Sequence, residues 1–358
     1  MSIHKPFHHL LSPYKNDKTG LILKNRVVLA PMTRCQSDDH QVPSDNMHHF
    51  YRKRGGCGLL VTEATCVTPH ANAYLNTPGI YSKDQIIAWR SIAQAVQDEG
   101  AKFFMQLWHV GMRGHSQYSN GTLPLSPSGI KPLRKLVPDL KLPYEPPKIM
   151  DTTDFTDVKN SFCQATHNAI HQANFDGIEL HVASGCLLDS FLHHTTNKRT
   201  DQYGGTPENM SRFLLELINE LIPIAGPNKI AVRISPVPSK QIITESEADQ
   251  EIFSFLLKQL NLLNLAYIHA SSDNDSQHRS TFLSTKVTTF VRNNYNGTLI
   301  GGGNYSIHEA ETALKNKEFE LAYFGRLLIA NPNLIDLLNQ NDLSGLKKFD
   351  SSMIANSP

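Results

Sequence analysis

The sequence predicts a (β/α)8 TIM barrel, and three observations predict it. Eight short apolar runs recur along the 358 residues, separated by helix-like segments. Most of the runs are continuous in Val, Ile, Leu and Phe rather than alternating, as strands buried on both faces are. Residues suited to chemistry end several different runs, and no G-x-G-x-x-G follows the first. That combination favours a closed barrel over an open doubly wound sheet.

Residues 1–25 precede the first run and are expected to form a cap or hairpin over the barrel bottom. The runs are RVVLAPM (26–32), GLLVTEATCV (58–67), KFFMQLWH (102–109), FDGIELHVA (175–183), KIAVRISP (229–236), LAYIHAS (265–271), TLIGGGN (298–304) and LAYFGRLLI (321–329). Between them, DNMHHFYRKRG, DQIIAWRSIAQAVQDEG and TDVKNSFCQATHNAIHQAN read as amphipathic helices. The last places Val158, Phe162, Ala165, Ala169 and Ala173 close to helical spacing. Thr206 before Pro207, and Ser306 three residues before Glu309, are N-cap signatures. Residues 111–152 form a long Pro/Gly-rich insertion after the third strand, a length that points to a lid or a substrate-facing excursion. The loop 272–284 is expected to help shape the same pocket. No linker or internal repeat beyond the β/α unit interrupts the chain, so residues 1–358 are read as one domain.

Composition narrows the function classes. The chain is 40% hydrophobic and 19% charged, with a formal net charge of +1. Nothing in that balance suggests a nucleic-acid partner. Five Cys without paired spacing fit a reducing compartment rather than a disulfide framework. The N-terminus lacks the apolar core of a signal peptide, and no run approaches a membrane span. The expectation is a cytoplasmic protein with no membrane association and no assigned oligomeric state. No metal site is expected. The pairs His48–His49 and His193–His194 are adjacent and chelate poorly, and His167 and His171 lack a third ligand. Cys35, Cys57, Cys66 and Cys163 read as core or shell thiols, and His109 has no assigned role.

Two regions carry chemistry on their own terms. GGGNYS (301–306) and FGR (324–326) end the seventh and eighth strands, where barrels frequently hold a phosphate. Glycine lets backbone approach the anion, N–H groups at a helix start point at it, and Arg326 adds a charge-assisted contact. The other region is HVASGCLLDSFLHHTTNKRTDQYGGTPEN (181–209). There a buried strand delivers His181, Ser184 and Cys186 into a Gly-rich loop.

Taken in order, APMTR (30–34), EAT (63–65), QLWH (106–109), HVASGC (181–186), VRISP (232–236), GGGNY (301–305) and FGR (324–326) resemble the old yellow enzyme family of FMN-dependent ene-reductases. The resemblance spans about residues 10 to 335. Singly, Thr33 reads better as a cap, Trp108 as core and Gln106 as satisfying a backbone group, and Arg233 equally well as a structural ion pair. Their joint order at seven strand ends is what carries the resemblance.

The resemblance implies an FMN barrel reduced by NADPH or NADH, which then passes hydride from the flavin N5 to an electron-poor alkene, an α,β-unsaturated carbonyl or nitro compound. It puts Gly303, Asn304, Gly325 and Arg326 at the FMN phosphate and Arg233 at the ring and ribityl side. Thr33 falls at the flavin O4 and Gln106 at the pyrimidine edge, with Pro31 and Ala64 beside the ring. Thr at position 33 matches the branch of the family that uses Thr rather than Cys. Tyr74 and Trp108 line the substrate pocket. The family pattern His-x-x-His/Asn-Gly-Tyr is altered here: His181 matches the first oxyanion donor, Ser184 the second, and Cys186 the proton-donor Tyr. The final segment, LKKFDSSMIANSP, has no Tyr where family members often carry a Tyr-containing cover over the flavin. The two replacements keep a second reading open, an FMN-binding barrel with little ene-reductase activity and a regulatory or interaction role. A weaker third is an FMN barrel oxidase of hydroxy acids with His181 as its base.

Overall fold

The computed structural model describes residues 6–137, 140–272, 274–275 and 283–356. Eight parallel strands close into a barrel: β1 (Val27–Leu29), β2 (Leu59–Val61), β3 (Lys102–Trp108), β4 (Gly177–Val182), β5 (Ile230–Ile234), β6 (Tyr267–Ala270), β7 (Leu299–Gly301) and β8 (Leu321–Phe324). Each strand pairs with the next, and β8 returns to β1 with Ala322 opposite Val27. Every predicted run supplies one of these strands.

Helices α1 (Asp45–Arg52), α2 (Lys83–Asp98), α3 (Thr152–His167), α4 (Pro207–Ala225), α5 (Asp249–Leu260), α6 (Val287–Asn294), α7 (Ile307–Lys315) and α8 (Leu334–Gln340) follow the strands in turn. The expected caps form. Thr206 accepts from the Asn209 amide, and Ser306 exchanges bonds with Glu309 in a full capping box. α3 begins four residues before the amphipathic text, because Asp151 caps the Thr153 and Asp154 amides. It ends in a π-helical turn, Asn168–Gln172.

Two strand boundaries differ from the sequence reading. The run 58–67 breaks after Val61, and a separate two-residue strand, Thr65–Cys66, pairs with the end of β3. The Thr62 hydroxyl accepts the Gln106 amide at 2.9 Å and donates to the Glu63 carbonyl, which turns the chain. The run 321–329 stops at Phe324, and Arg326–Ala330 is helical. A continuous apolar stretch does not separate the end of a strand from a buried helical turn.

The hairpin Tyr14–Asn16 with Leu21–Leu23 covers the barrel bottom, as expected. Tyr14, Leu21 and Leu23 share a buried cluster with the inward residues Val28, Leu59, Val61, Phe104, Ala231, Tyr267, Ile300 and Leu321. Gly177 is required there, since a Cβ would lie 2.2 Å from the Phe104 ring. The insertion 111–152 forms two 3-10 turns, Gly111–Arg113 and Ser116–Tyr118, and a short parallel pair, Leu125–Ser126 with Lys148–Ile149. Its residues 138–139 lie outside the described residues, as does most of the loop 272–284. Among the described residues no helix is long and apolar enough to cross a membrane.

Candidate functional site

Above the apolar floor the barrel interior turns polar. Glu179 of β4 is fully buried. It accepts from Gln106 Nε2 at 2.7 Å and sits 3.0 Å from His269 Nδ1. Burial alone would raise its carboxyl, but His269, Arg233 and Gln106 outweigh burial and hold it below its ordinary value. Burial lowers His269, so the pair is a carboxylate accepting from a neutral imidazole beside the Arg233 cation.

A cavity of ≈ 440 Å³ opens on top of this layer, at the C-terminal ends of the strands. Pro31, Thr33 and Cys35 reach it from the loop after β1, and Ala64 and Tyr74 from the segment after β2. Gln106 and Trp108 come from β3, His181 and Ser184 from the end of β4, and Arg233 from β5. Arg113, from the insertion, completes the wall.

Each side chain has a reason to be where it is. Glu63 is buried and accepts the Arg34 and Cys35 amides at 3.0 and 3.3 Å, which fixes the turn immediately after Thr33. Burial pushes that carboxyl up to about 7. Arg233 donates Nη2 to Ser271 at 3.0 Å and Nη1 to the Pro31 carbonyl at 3.4 Å, while its Nε has no partner. Trp108 donates its indole N–H to Cys66 Sγ at 3.2 Å and lies nearly parallel to the Tyr74 ring, 6.3 Å between centroids. His181 keeps a buried Nδ1 without a partner. Burial, and then the Arg233 and Arg113 charges, drive its pKa well down, so the imidazole is neutral. A neutral imidazole donates one hydrogen bond and accepts another.

Cys186 does not line the cavity. It is fully buried, its Sγ lies 3.8 Å from Arg113 Nη1, and burial pushes its thiol up to about 11. The phosphate-end residues form a second group. Gly303 and Asn304 both adopt positive φ, 110° and 62°, and Arg326 Nη2 donates to Asn304 Oδ1 at 3.1 Å. Gly303 must be glycine, because a Cβ would fall 2.8 Å from the Ser272 carbonyl and the Asp275 amide. Gly325 follows β8 and lies beside Met32. Among the described residues, no group of three or more His, Cys, Asp or Glu is placed to hold a metal.

A family model described as NADH:flavin oxidoreductase / NADH oxidase matches residues 10–343. The chain belongs to that family. It is an NAD(P)H-dependent flavin oxidoreductase of the old yellow enzyme group, with FMN as its cofactor and a nicotinamide dinucleotide as its reductant. Among similar proteins, a putative 12-oxophytodienoate reductase 2 of Oryza sativa subsp. japonica is 36% identical over 329 residues, 91% of this chain and 85% of that protein. A structure of morphinone reductase in complex with tetrahydroNAD matches with TM-score 0.85 and 30% identity, covering 98% of this chain and 97% of that one. The old yellow enzyme from Trypanosoma cruzi matches with TM-score 0.89 and 28% identity, again over 98% and 97%.

The residues present suit this flavin oxidoreductase's cofactor. The unpartnered Arg233 Nε, the cavity-facing Gln106 and Thr33, and the positive-φ turn at Gly303–Asn304 beside Arg326 are polar features that a flavin and its phosphate would satisfy.

Sequence reasoning missed several contributors. Arg113 stands one turn past QLWH, in text read as insertion. Glu179 and His269 were hidden inside apolar runs, although a lone charge in such a run is itself a signal. Glu63 was passed over in EAT for its neighbour Ala64. A buried cluster in which His193 meets Asp189 at 3.2 Å and Asp249 at 2.7 Å was also missed, because Asp249 lies 56 residues beyond His193.

Proposed function

We propose that this chain reduces electron-poor alkenes, α,β-unsaturated carbonyl or nitro compounds, at the expense of NADPH or NADH. When bound, FMN would supply the redox chemistry, the transfer of hydride from nicotinamide to alkene. Gln106 would hold the pyrimidine edge, Arg233 the ring and ribityl side, Thr33 the O4 side, and Pro31 and Ala64 the ring's flank. Gly303, Asn304, Gly325 and Arg326 would hold the phosphate.

The substrate side falls to β4 and its loop. His181, neutral and with an unsatisfied ring nitrogen, donates to the carbonyl or nitro oxygen as negative charge grows there. Ser184 is the second donor, through its hydroxyl or a bridging water. Trp108 and Tyr74 give the alkene a flat aromatic wall. Cys186 is a poor proton donor, being off the wall, fully buried and pushed up to about 11. The α carbon takes its proton from solvent. The observation that carries this reading is the convergence of His181, Ser184, Gln106, Thr33 and Arg233 on one cavity.

The test is His181→Ala. Reoxidation of the reduced enzyme by 2-cyclohexenone should slow by on the order of 10²–10³, the loss typical of one oxyanion donor, with FMN content unchanged. Equal rates in both proteins would remove His181 from the reaction. The shortness of Ser184 and the retreat of Cys186 favour one second reading, a flavoprotein with little alkene reduction. In that case NAD(P)H reduces the enzyme and no alkene reoxidises it.

A further inference from the structure

The loop after β1 puts a thiol where the proposed substrates enter. Cys35 lines the cavity together with Thr33, Trp108, His181 and Ser184. It is partly exposed, whereas Cys57, Cys66 and Cys186 are buried, and Cys163, also partly exposed, lies on α3 outside the cavity wall. The Cys35 backbone adopts φ 55°, a left-handed conformation that persists only where the surroundings hold it. The buried Glu63 carboxyl accepts the Cys35 amide at 3.3 Å. Two residues on, the Ser37 amide donates to the Asn76 carbonyl at 3.1 Å and Asn76 Nδ2 donates back to the Ser37 carbonyl at 2.7 Å. The Cys35 sulfur acts electrostatically on Cys66, whose Sγ accepts the Trp108 indole N–H at 3.2 Å. Cys35 therefore stands on the Trp108 side of the cavity.

Other side chains show that this cavity awaits a ligand. His181 is 8% exposed and keeps an Nδ1 without a partner, and Arg233 keeps an Nε in the same state. Among the described residues the wall contains Arg113 and Arg233 and no Asp or Glu. Cationic surroundings favour the thiolate, the nucleophilic form of cysteine. Glu63 opposes this only in part, since burial pushes its carboxyl up to about 7. An electron-poor alkene is electrophilic toward a thiolate at the same β carbon that takes hydride. Both additions put negative charge on the same oxygen, so donors at His181 and Ser184 that assist one assist the other.

We infer that Cys35 is a covalent modification site, where the thiol adds to the electron-poor alkenes that the cavity admits. The inference rests on the alkene-reductase reading for what enters the cavity. The sulfur forms a bond to the β carbon, the C=C π bond is spent, and the thiol's proton reaches the α carbon by way of solvent. No electrons pass to or from the flavin, so the step needs no NAD(P)H and is open to the oxidised enzyme. Elimination of the thiol reverses it. The adduct fills part of the one cavity in which both half-reactions are proposed to run. Alkene that arrives before NAD(P)H would therefore arrest the enzyme.

The test uses the oxidised, FMN-loaded enzyme with 2-cyclohexenone and no NAD(P)H. After incubation the ketone is reduced with borohydride, which prevents elimination of the thiol, and the digested protein is mapped by mass spectrometry. The Cys35 peptide should gain the mass of one reduced enone at least about tenfold faster than the Cys163 peptide, because access and local charge set a thiol's rate. Cys35→Ser should lose that label while Cys163 keeps its own slow one. Preincubation with the enone should also slow the later bleaching of the flavin by NADPH in the wild type and not in Cys35→Ser. An unlabelled Cys35, or labelling no faster than at Cys163, overturns the assignment, and unslowed bleaching of labelled enzyme overturns the arrest. If Cys35→Ser fails to fold, the wild-type peptide map decides alone. Failure of the underlying reading is seen separately, as a reduced enzyme that the enone does not reoxidise.

Discussion

At the scale of single residues, Ser184 and Cys186 of the β4 loop make distinct predictions. Ser184 adopts φ 59°, a left-handed conformation that Asn tolerates better than most residues. Ser184→Asn therefore introduces a longer donor without backbone strain. It should speed reoxidation by 2-cyclohexenone by about tenfold or more, a fraction of what one oxyanion donor supplies. A slower reaction in a folded, FMN-loaded variant would mean that the hydroxyl is already at its optimum. Cys186→Ala should change kcat less than about threefold, because the thiol is off the cavity wall and the proposed reaction takes its proton from solvent. A loss of a hundredfold would return the proton-donor role to Cys186. Cys186→Tyr is a poor restoration, since Arg113 Nη1 already stands 3.8 Å from that sulfur. At this scale the cavity residues His181, Ser184, Gln106, Trp108, Thr33, Ala64, Pro31 and Arg233 were legible as candidates because each sits in a motif at a strand end, and Tyr74 only through the family resemblance. Arg113 was not, since its place depends on how the insertion folds back, which no local spacing encodes.

At the scale of elements, the loop after β4 is held by a buried charge cluster. Asp189 accepts the Gly185 amide at 2.7 Å, next to Ser184, so it fixes two successive left-handed residues. His193 lies 3.2 Å from Asp189 and 2.7 Å from Asp249, the first residue of α5, and all three are fully buried. Burial lowers His193, but the two carboxylates outweigh it and push it up to about 9. The folded value thus lies above the ordinary 6.5. The stabilisation is complete below pH 6.5 and is lost as pH rises through 9. The thermal midpoint of the wild type should fall across that window relative to His193→Gln. The variant should be less stable near pH 6 by about 3–5 kcal/mol, the typical result of breaking a buried pair. Parallel pH curves for the two proteins would refute the pairing. Element identity was largely legible: eight continuous apolar runs became eight strands, and the caps at Thr206 and Ser306 formed as read. The misjudged boundaries, after Val61 and after Phe324, lie where side-chain bonds or a buried helical turn end a strand inside apolar text.

At the scale of the whole molecule, the barrel separates two tasks. Its floor, sealed by the N-terminal hairpin through Tyr14 and a 2.8 Å bond to Thr298, is apolar and structural. Its top gathers polar groups from several strand ends around one cavity, over a layer in which Glu179 balances Arg233. The fold and the cofactor were readable because the family motifs recur in order along almost the whole chain. The charge arrangement around the cavity was not, because it depends on contacts between segments distant in sequence. The central claim is that this top face runs two half-reactions, one with NAD(P)H and one with an electron-poor alkene. The most direct test is the flavin absorbance of the purified protein under anaerobic conditions, first with NADPH or NADH and then with 2-cyclohexenone. Bleaching by the nicotinamide followed by full recovery on adding the enone is the predicted result. Bleaching that persists after the enone is added would contradict the account.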